Sequence, residues 1–185
     1  MLDFLPYSRR ALNMSGTAAA TNELLSRTLQ AFQDCSDLVH QQFPAQLIDV
    51  LYFDHLTDQE MLRSDVLEPF SRLQPSAIES LLTLSQYKPI FVTSNLVEGI
   101  LHGEAAIFFN GQAYLYDTGG PEYRAIQSWE TESVISGPHD AFTESLDTNL
   151  SLIRRRVRDA RLKTIPLTIG KTRERIYASI YRRAS

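Results

Sequence analysis

Residues 104–119, EAAIFFNGQAYLYDTG, decide the fold more than any other stretch of this chain. Residues 104–111 and 112–119 are both strand-like, and they meet at Asn110-Gly111. This dipeptide favours positive φ at both central positions of a type I′ turn and is a strong short-range hairpin signal. The stretch therefore predicts a β-hairpin inside a folded unit.

Helices and strands alternate on the N-terminal side of this hairpin. Residues 46–53, QLIDVLYF, have the β-branched and aromatic content of a buried strand. Residues 21–34 carry apolar side chains at helical spacing and predict an amphipathic helix. We also predict strands at 37–43 and 89–95, a helix capped by Thr57, and a short helix at 76–84. This interleaving favours an α/β fold with a mixed sheet.

A second unit is predicted beyond residues 119–139, a segment with glycine and proline at both ends and little periodicity. A helix of about 17 residues over 141–158 is expected to bury one apolar stripe. The stripe consists of Phe142, Leu146, Leu150, Ile153 and Val157. Strands are predicted at 162–170 and 175–181. The chain is therefore divided into a flexible leader (1–20), a first α/β subdomain (21–118), a linker (119–139) and a second, incomplete subdomain (140–185).

The composition is that of a folded protein, with 43% hydrophobic and 22% charged residues among 185. The single cysteine, Cys35, excludes an internal disulfide and fits a reducing compartment. No apolar run reaches the roughly 20 residues of a membrane-spanning helix, and the N-terminus does not resemble a signal peptide. We expect the chain alone to be soluble and cytoplasmic.

The charge is divided unevenly along the chain. Residues 150–185 carry eleven of the 18 lysines and arginines and two acids, a net charge of +9, whereas residues 1–149 carry −13. The run at 154–163, RRRVRDARLK, has no interleaved aromatic residues of the kind that stack on bases. The acidic remainder would also repel a polyanion, so no nucleic-acid partner is predicted. We favour the interpretation that this run forms the basic side of a helix, either solvated or facing an interface. A third possibility, after nucleic-acid binding, is that the basic side is attracted to anionic lipid headgroups.

No pattern in the sequence predicts a catalytic, cofactor or metal site. The G-x-S-x-G, G-x-G-x-x-G and Walker motifs are absent. Cys35 has no neighbouring cation in sequence and is predicted to be a small buried residue. The histidines lack the spacing of metal ligands, and they are His40, His55, His102 and His139. Three acids, Asp49, Asp54 and Asp58, are interpreted as strand-end and cap residues. We therefore predict a protein that is not an enzyme.

Residues 135–174, ISGPHDAFTESLDTNLSLIRRRVRDARLKTIPLTIGKTRE, resemble the GerA family, the A subunits of bacterial spore germinant receptors. The matching positions are Gly137, Pro138, Phe142, Glu144, Ser145, Leu146, Thr148, Asn149, Leu152 to Arg156, Leu162, Lys163, Ile169 and Gly170. Residues 49–58 and 100–118 also look like family segments. The chain departs from the family at His139-Asp140-Ala141, where Arg-Glu-Gly is usual, and it stops before the family's membrane domain.

The resemblance implies a role in spore germination through subunit association. Its partners would be a transporter-like B subunit, a lipoprotein C subunit and copies of the chain itself. The location would be the cytosolic face of the spore inner membrane, with membrane contact only through a C-terminal part absent here. The interface candidates are Gly137, Pro138, Phe142, Glu144, Thr148, Asn149, Arg154, Arg155, Arg156 and Arg158. The alternative is a small-ligand-binding α/β domain with a cleft between the subdomains, near Tyr123, Arg124 and Trp129.

Overall fold

The computed structural model describes residues 23–119, 145–169 and 175–182, and side chains only as far as Ile165. The helices are α1 (Glu23–Ala31), α2 (Gln59–Met61), α3 (Glu68–Arg72), α4 (Pro75–Leu82), α5 (Thr93–Leu101) and α6 (Leu146–Arg156). The strands are β1 (Leu38–Phe43), β2 (Ile48–Phe53), β3 (Tyr87–Ile90), β4 (Ala105–Phe109), β5 (Gln112–Tyr116), β6 (Leu162–Ile169) and β7 (Arg175–Arg182). A 3₁₀ turn spans Asp54–Leu56, and a π-helical stretch, Leu62–Leu67, joins α2 to α3. The predicted leader, and the linker apart from Gly119, lie outside the described residues.

The centre of the fold is a five-stranded sheet with the order β1-β2-β4-β5-β3. The α/β class predicted from the sequence is confirmed. All of the described strand pairs are antiparallel, where a mixed sheet was expected. Strands β3 and β4, which α5 connects, run in the same direction, but β5 lies between them, so they are not neighbours in the sheet.

Helices cover both faces of this sheet. Alternate residues of β2, such as Val50 and Tyr52, pack with the π-helical stretch, α3 and α4 on one face. The intervening residues, Leu51 and Phe53, pack with α1 and α5 on the other. Strand β4 is buried along its whole length. Burial on both faces explains why its sequence is a continuous apolar run without the alternation of a half-exposed strand.

The predicted hairpin at β4–β5 is confirmed. Asn110 and Gly111 have φ values of 48° and 79°, the positive pair that a type I′ turn requires. Phe109 lies opposite Gln112 across the turn.

Two predicted boundaries upstream of the hairpin are wrong. The strand expected at 89–95 ends at Ile90, and α5 begins at Thr93, because Leu96 and Ile100 fall at helical spacing and are fully buried. The N-cap of α2 is Asp58 and not Thr57. The Asp58 carboxylate accepts hydrogen bonds from the backbone N–H groups of Glu60 and Met61, at 3.0 Å each.

Helix α6 is shorter than the predicted helix over 141–158. Ser145 caps it by accepting a 3.3 Å hydrogen bond from the Thr148 backbone N–H, and the helix ends at Arg156. Of the predicted stripe, Leu150 is buried, Leu146 and Ile153 are half-buried, and Phe142 lies outside the described residues. Val157 was expected to be buried, but it is 36% exposed. Its backbone (φ −113°, ψ 81°) has left the helical conformation, which turns its side chain away from the stripe.

We predict that Leu150→Ala lowers the free energy of unfolding by about 2 kcal/mol, the low end for truncating a buried leucine, because its stripe neighbours are only half-buried. Urea melts of the two proteins measure this difference. Val157→Ala is the control, with an expected change of at most about 0.5 kcal/mol. Equal effects of the two substitutions would contradict the burial that the structure shows for this helix.

A buried arginine cluster as the candidate functional site

The first arginine of the basic run is buried inside the protein. Arg154 is 1% exposed, although it lies in the last turn of a helix that also carries Arg155 and Arg156. Of the three consecutive arginines at 154–156, Arg154 is the one that lies toward the core. The basic run therefore begins at a buried arginine and continues toward the protein surface.

Arg154 forms a two-point ion pair with Asp37, which immediately precedes β1. Its Nε donates to Asp37 Oδ2 and its Nη2 to Asp37 Oδ1, both at 2.8 Å. The planar guanidinium matches a carboxylate in this fork geometry, and both groups carry charge, so such hydrogen bonds are about twice as strong as neutral ones. The side chain of Asp37 is only 5% exposed. The pair thus joins α6 to the edge of the sheet through groups largely shielded from water.

Two further guanidinium N–H groups also donate within the protein. Nη1 donates to the Leu162 carbonyl and Nη2 to Thr164 Oγ1, each at 2.9 Å. The guanidinium carbon lies 4.6 Å from the ring centroid of Phe53, within the range of a cation–π contact. Burial opposes the charge of Arg154, but the hydrogen bonds and charge of Asp37 outweigh it and raise the arginine pKa. The arginine remains a cation and connects α6, β1 and β6.

A lysine and the only cysteine of the chain lie beside this pair. Lys163 is 5% exposed, and its Nζ donates to the Ala31 carbonyl at the end of α1, at 3.2 Å. The same nitrogen is 3.9 Å from Cys35 Sγ, and that thiol lies 3.4 Å from the Leu162 carbonyl oxygen. Burial raises the pKa of the Cys35 thiol, although Arg154 and Lys163 oppose the shift. Cys35 is buried, as predicted. Two cations, Arg154 and Lys163, lie beside it in the structure, although no cation is adjacent to it in the sequence.

Two backbone contacts hold the same segments together. Cys35 forms an isolated parallel bridge with Thr164, and the Ser36 N–H donates to the Thr164 carbonyl at 3.0 Å. We call this whole group the Arg154 cluster. It consists of Cys35, Ser36, Asp37, Phe53, His55, Arg154, Lys163 and Thr164.

The interface candidates from the sequence have different environments in the structure. Gly137, Pro138, Phe142 and Glu144 lie outside the described residues. Thr148 is exposed in the first turn of α6, and Asn149 is half-buried. Arg155 is half-buried, whereas Arg156 and Arg158 are exposed. Sequence reasoning did not bring Asp37, His55 and Lys163 together at a site, although Lys163 was among the family-matching positions and His55 among the histidines considered.

The hydrogen bonds of Arg154 connect α6 with the start of β1 and with β6. Within residues 23–119 and the side chains of 145–165, no group of three or more histidine, cysteine or acidic side chains could hold a metal ion. A surface depression of about 490 Å³ lies between α1 and residues 91–94, lined by Glu23, Arg27 and Phe91 among others. The residues of the predicted cleft, Tyr123, Arg124 and Trp129, lie outside the described part of the chain.

In the parts of the chain that the structure describes, every helix is too short or too polar to cross a membrane. This finding applies to the six helices defined above and to the π-helical stretch.

The chain is similar to proteins of bacterial spores. It is 32% identical over 136 residues to spore germination protein A1 of Bacillus subtilis (strain 168), which covers 71% of this chain and 28% of that protein. It is 30% identical over 123 residues to spore germination protein KA of the same organism, covering 61% of this chain and 23% of the relative. The chain thus spans less than a third of the length of these relatives.

A solved structure has the same fold. The crystal structure of the N-terminal domain of the A subunit of the Bacillus megaterium spore germinant receptor GerK3 matches with a TM-score of 0.63 and 16% sequence identity. The match covers 92% of this chain and 68% of that domain. The family model described as Bacillus/Clostridium GerA spore germination protein matches residues 26–184, which include the whole Arg154 cluster. This chain therefore belongs to the GerA spore germination protein family.

Proposed function

We propose that this chain is the cytosolic signalling and assembly domain of a nutrient germinant receptor A subunit and acts through subunit association, not catalysis. The observation that carries the proposal is the family match over residues 26–184, which spans both the sheet and the basic segment. The partners proposed are a transporter-like B subunit, a lipoprotein C subunit and copies of the chain itself, at the spore inner membrane.

The distribution of charge supports association as the working principle. Arg154 is occupied by the ion pair with Asp37, whereas Arg156 and Arg158 remain exposed. The internal pair fixes the C-terminal end of α6, so Arg155 and Arg156 are presented on a firmly attached helix and Arg158 lies two residues beyond it. Residues 1–149 of a second copy carry −13, which supplies a complementary surface. We propose Arg155, Arg156 and Arg158 as the interface residues, and the division into subdomains 21–118 and 140–185 as the organisation that presents them.

We predict weak self-association that salt suppresses, because screening shortens the Debye length from about 10 Å at 0.1 M to about 3 Å at 1 M. Sedimentation velocity over this salt range measures the association. The triple variant R155A/R156A/R158A should remain monomeric at low salt. Arg154 is left intact, so that the fold is preserved.

A matched control removes the same amount of positive charge elsewhere. Arg27, Arg63 and Arg72 are exposed and lie outside the basic run. The triple variant R27A/R63A/R72A should associate like the wild type. If both triple variants lost association equally, net charge and not the basic segment at 155–158 would be responsible. If the measured association changed neither with salt concentration nor with either set of substitutions, the proposed interface would be refuted.

A further inference from the structure

One buried polar atom of the Arg154 cluster has no hydrogen-bond partner. His55, in the 3₁₀ turn after β2, has a side chain that is 6% exposed, and its Nε2 is buried without a partner. This nitrogen lies 3.6 Å from Asp37 Oδ2, beyond hydrogen-bond distance. Both oxygens of Asp37 already accept hydrogen bonds from Arg154. Buried polar atoms in native proteins are nearly always paired, so this imidazole calls for a physical explanation.

The carboxylate nearest to the imidazole is already engaged. Asp37, whose Oδ2 lies 3.6 Å from His55 Nε2, forms the two-point ion pair with Arg154. The Cys35 thiol stays neutral at physiological pH because burial raises its pKa. A protonated His55 would therefore share Asp37 with Arg154, in a site with little water to hydrate its charge.

Charged groups from three segments of the chain surround His55 and shift its pKa. Burial is the main cause that lowers the pKa of His55, and Arg154 on α6 lowers it further. Three carboxylates oppose the shift: Asp37 before β1, Asp147 on α6 and Asp54 in the same turn. The net direction is downward, so the neutral imidazole is favoured in the closed cluster.

We propose that His55 makes the attachment of α6 and β6 to the sheet sensitive to acid, because its protonation opens the Arg154 cluster. In the opened cluster the imidazole is hydrated and titrates near its ordinary pKa of about 6.5. The open form then binds more protons than the closed form wherever the pH lies near or below that value. The stability of the closed form is fully present above about pH 6.5 and decreases as the pH falls toward the lower pKa of the closed state. This inference does not rest on the proposed association.

The single cysteine provides a direct measure of opening. Cys35 is buried beneath the cluster, so its reaction with 4,4′-dithiodipyridine requires the cluster to open. The rate is measured on the full chain and divided by the rate for the urea-unfolded chain at the same pH, which removes the intrinsic pH dependence of the thiol. Between roughly pH 7.5 and pH 5.5 we expect this protection to fall several-fold, up to about tenfold. Far-UV circular dichroism should show that the sheet remains folded throughout.

Two variants and one spectroscopic measurement decide the outcome. His55→Gln, which cannot titrate, should keep nearly constant protection, whereas His102→Gln, at a half-buried histidine outside the Arg154 cluster, should behave like the wild type. NMR titration of the His55 ring in the wild-type chain gives a measurement that needs no variant, and it should show a pKa below the ordinary value. The proposal is overturned if His55→Gln loses protection as the wild type does, if the ring titrates at or above its ordinary value, or if the sheet unfolds together with the loss of protection.

Discussion

Arg154→Ala is expected to cost this chain about 3–5 kcal/mol of unfolding free energy, the range for removing one partner of a buried ion pair. The substitution leaves the Asp37 carboxylate buried without its two hydrogen bonds, and it also removes the donors to the Leu162 carbonyl and Thr164. Urea or thermal denaturation followed by circular dichroism measures the loss. Because most domains are stable by only about 5–15 kcal/mol, the variant is expected to lie near its folding limit.

The control for this prediction lies on the same basic run. Arg158→Ala removes an equal charge from an exposed position and should change the stability by at most about 0.5 kcal/mol. The double variant R154M/D37L, which replaces the pair by apolar groups of similar size, should recover much of the loss, because no unpaired charge remains. If Arg154→Ala and Arg158→Ala had equal effects, the buried ion pair would not stabilise the fold as the geometry requires.

Gly103→Ala should produce the second large effect, a loss of about 2–4 kcal/mol, since it combines a strained backbone angle with a steric clash. Gly103 ends α5 with φ of +88°. Its N–H donates to the Ile100 carbonyl and the next N–H, of Glu104, donates to the Gly99 carbonyl, the pattern of a Schellman C-cap. An added Cβ would lie 2.6 Å from the backbone oxygen of Leu56. That oxygen belongs to the turn carrying His55, which cannot move without disturbing the Arg154 cluster.

Gly111→Ala separates the two contributions. Gly111 also has positive φ, at +79°, but a Cβ there would meet nothing within 4 Å. Its substitution should cost about 1 kcal/mol, the backbone contribution alone. Denaturant melts of both variants give the difference, which measures the clash with Leu56. Equal losses at the two positions would mean that the α5 terminus adapts to the extra atom.

The elements that could be predicted from the sequence were those with a strong local signal. The hairpin at Asn110-Gly111 and the buried strand β2 follow from turn chemistry and apolar patterning over a few residues. The helix stripe gave Leu150 correctly but extended too far, to Val157, because periodicity does not show where the backbone leaves the helix. The start of α5 was missed since residues 91–95 contain apolar and β-branched side chains that are also typical of a strand.

The Arg154 cluster could not be predicted in the same way. A run of three arginines indicates that one must turn inward, and helical spacing alone does not identify its partner. Asp37 lies far away in sequence, in a polar stretch where an exposed acid would be the ordinary expectation. The pairing depends on how β6 and α6 meet the edge of the sheet, and that is a tertiary property. The position of His55 beside a carboxylate that Arg154 already engages likewise exists only after three distant segments have come together.

The long separation between Asp37 and Arg154 has a consequence for how the protein folds. The two residues are 117 positions apart, so closing their contact costs more chain entropy than any hairpin in the sheet. A chain emerging from the ribosome can form β1 to β5 before Arg154 has been synthesised, since domains fold as units from the N-terminus. Asp37 remains hydrated during that interval. The arrival of α6 and β6 then desolvates Asp37 and pairs it in one late step, which makes the Arg154 cluster a marker of completed folding.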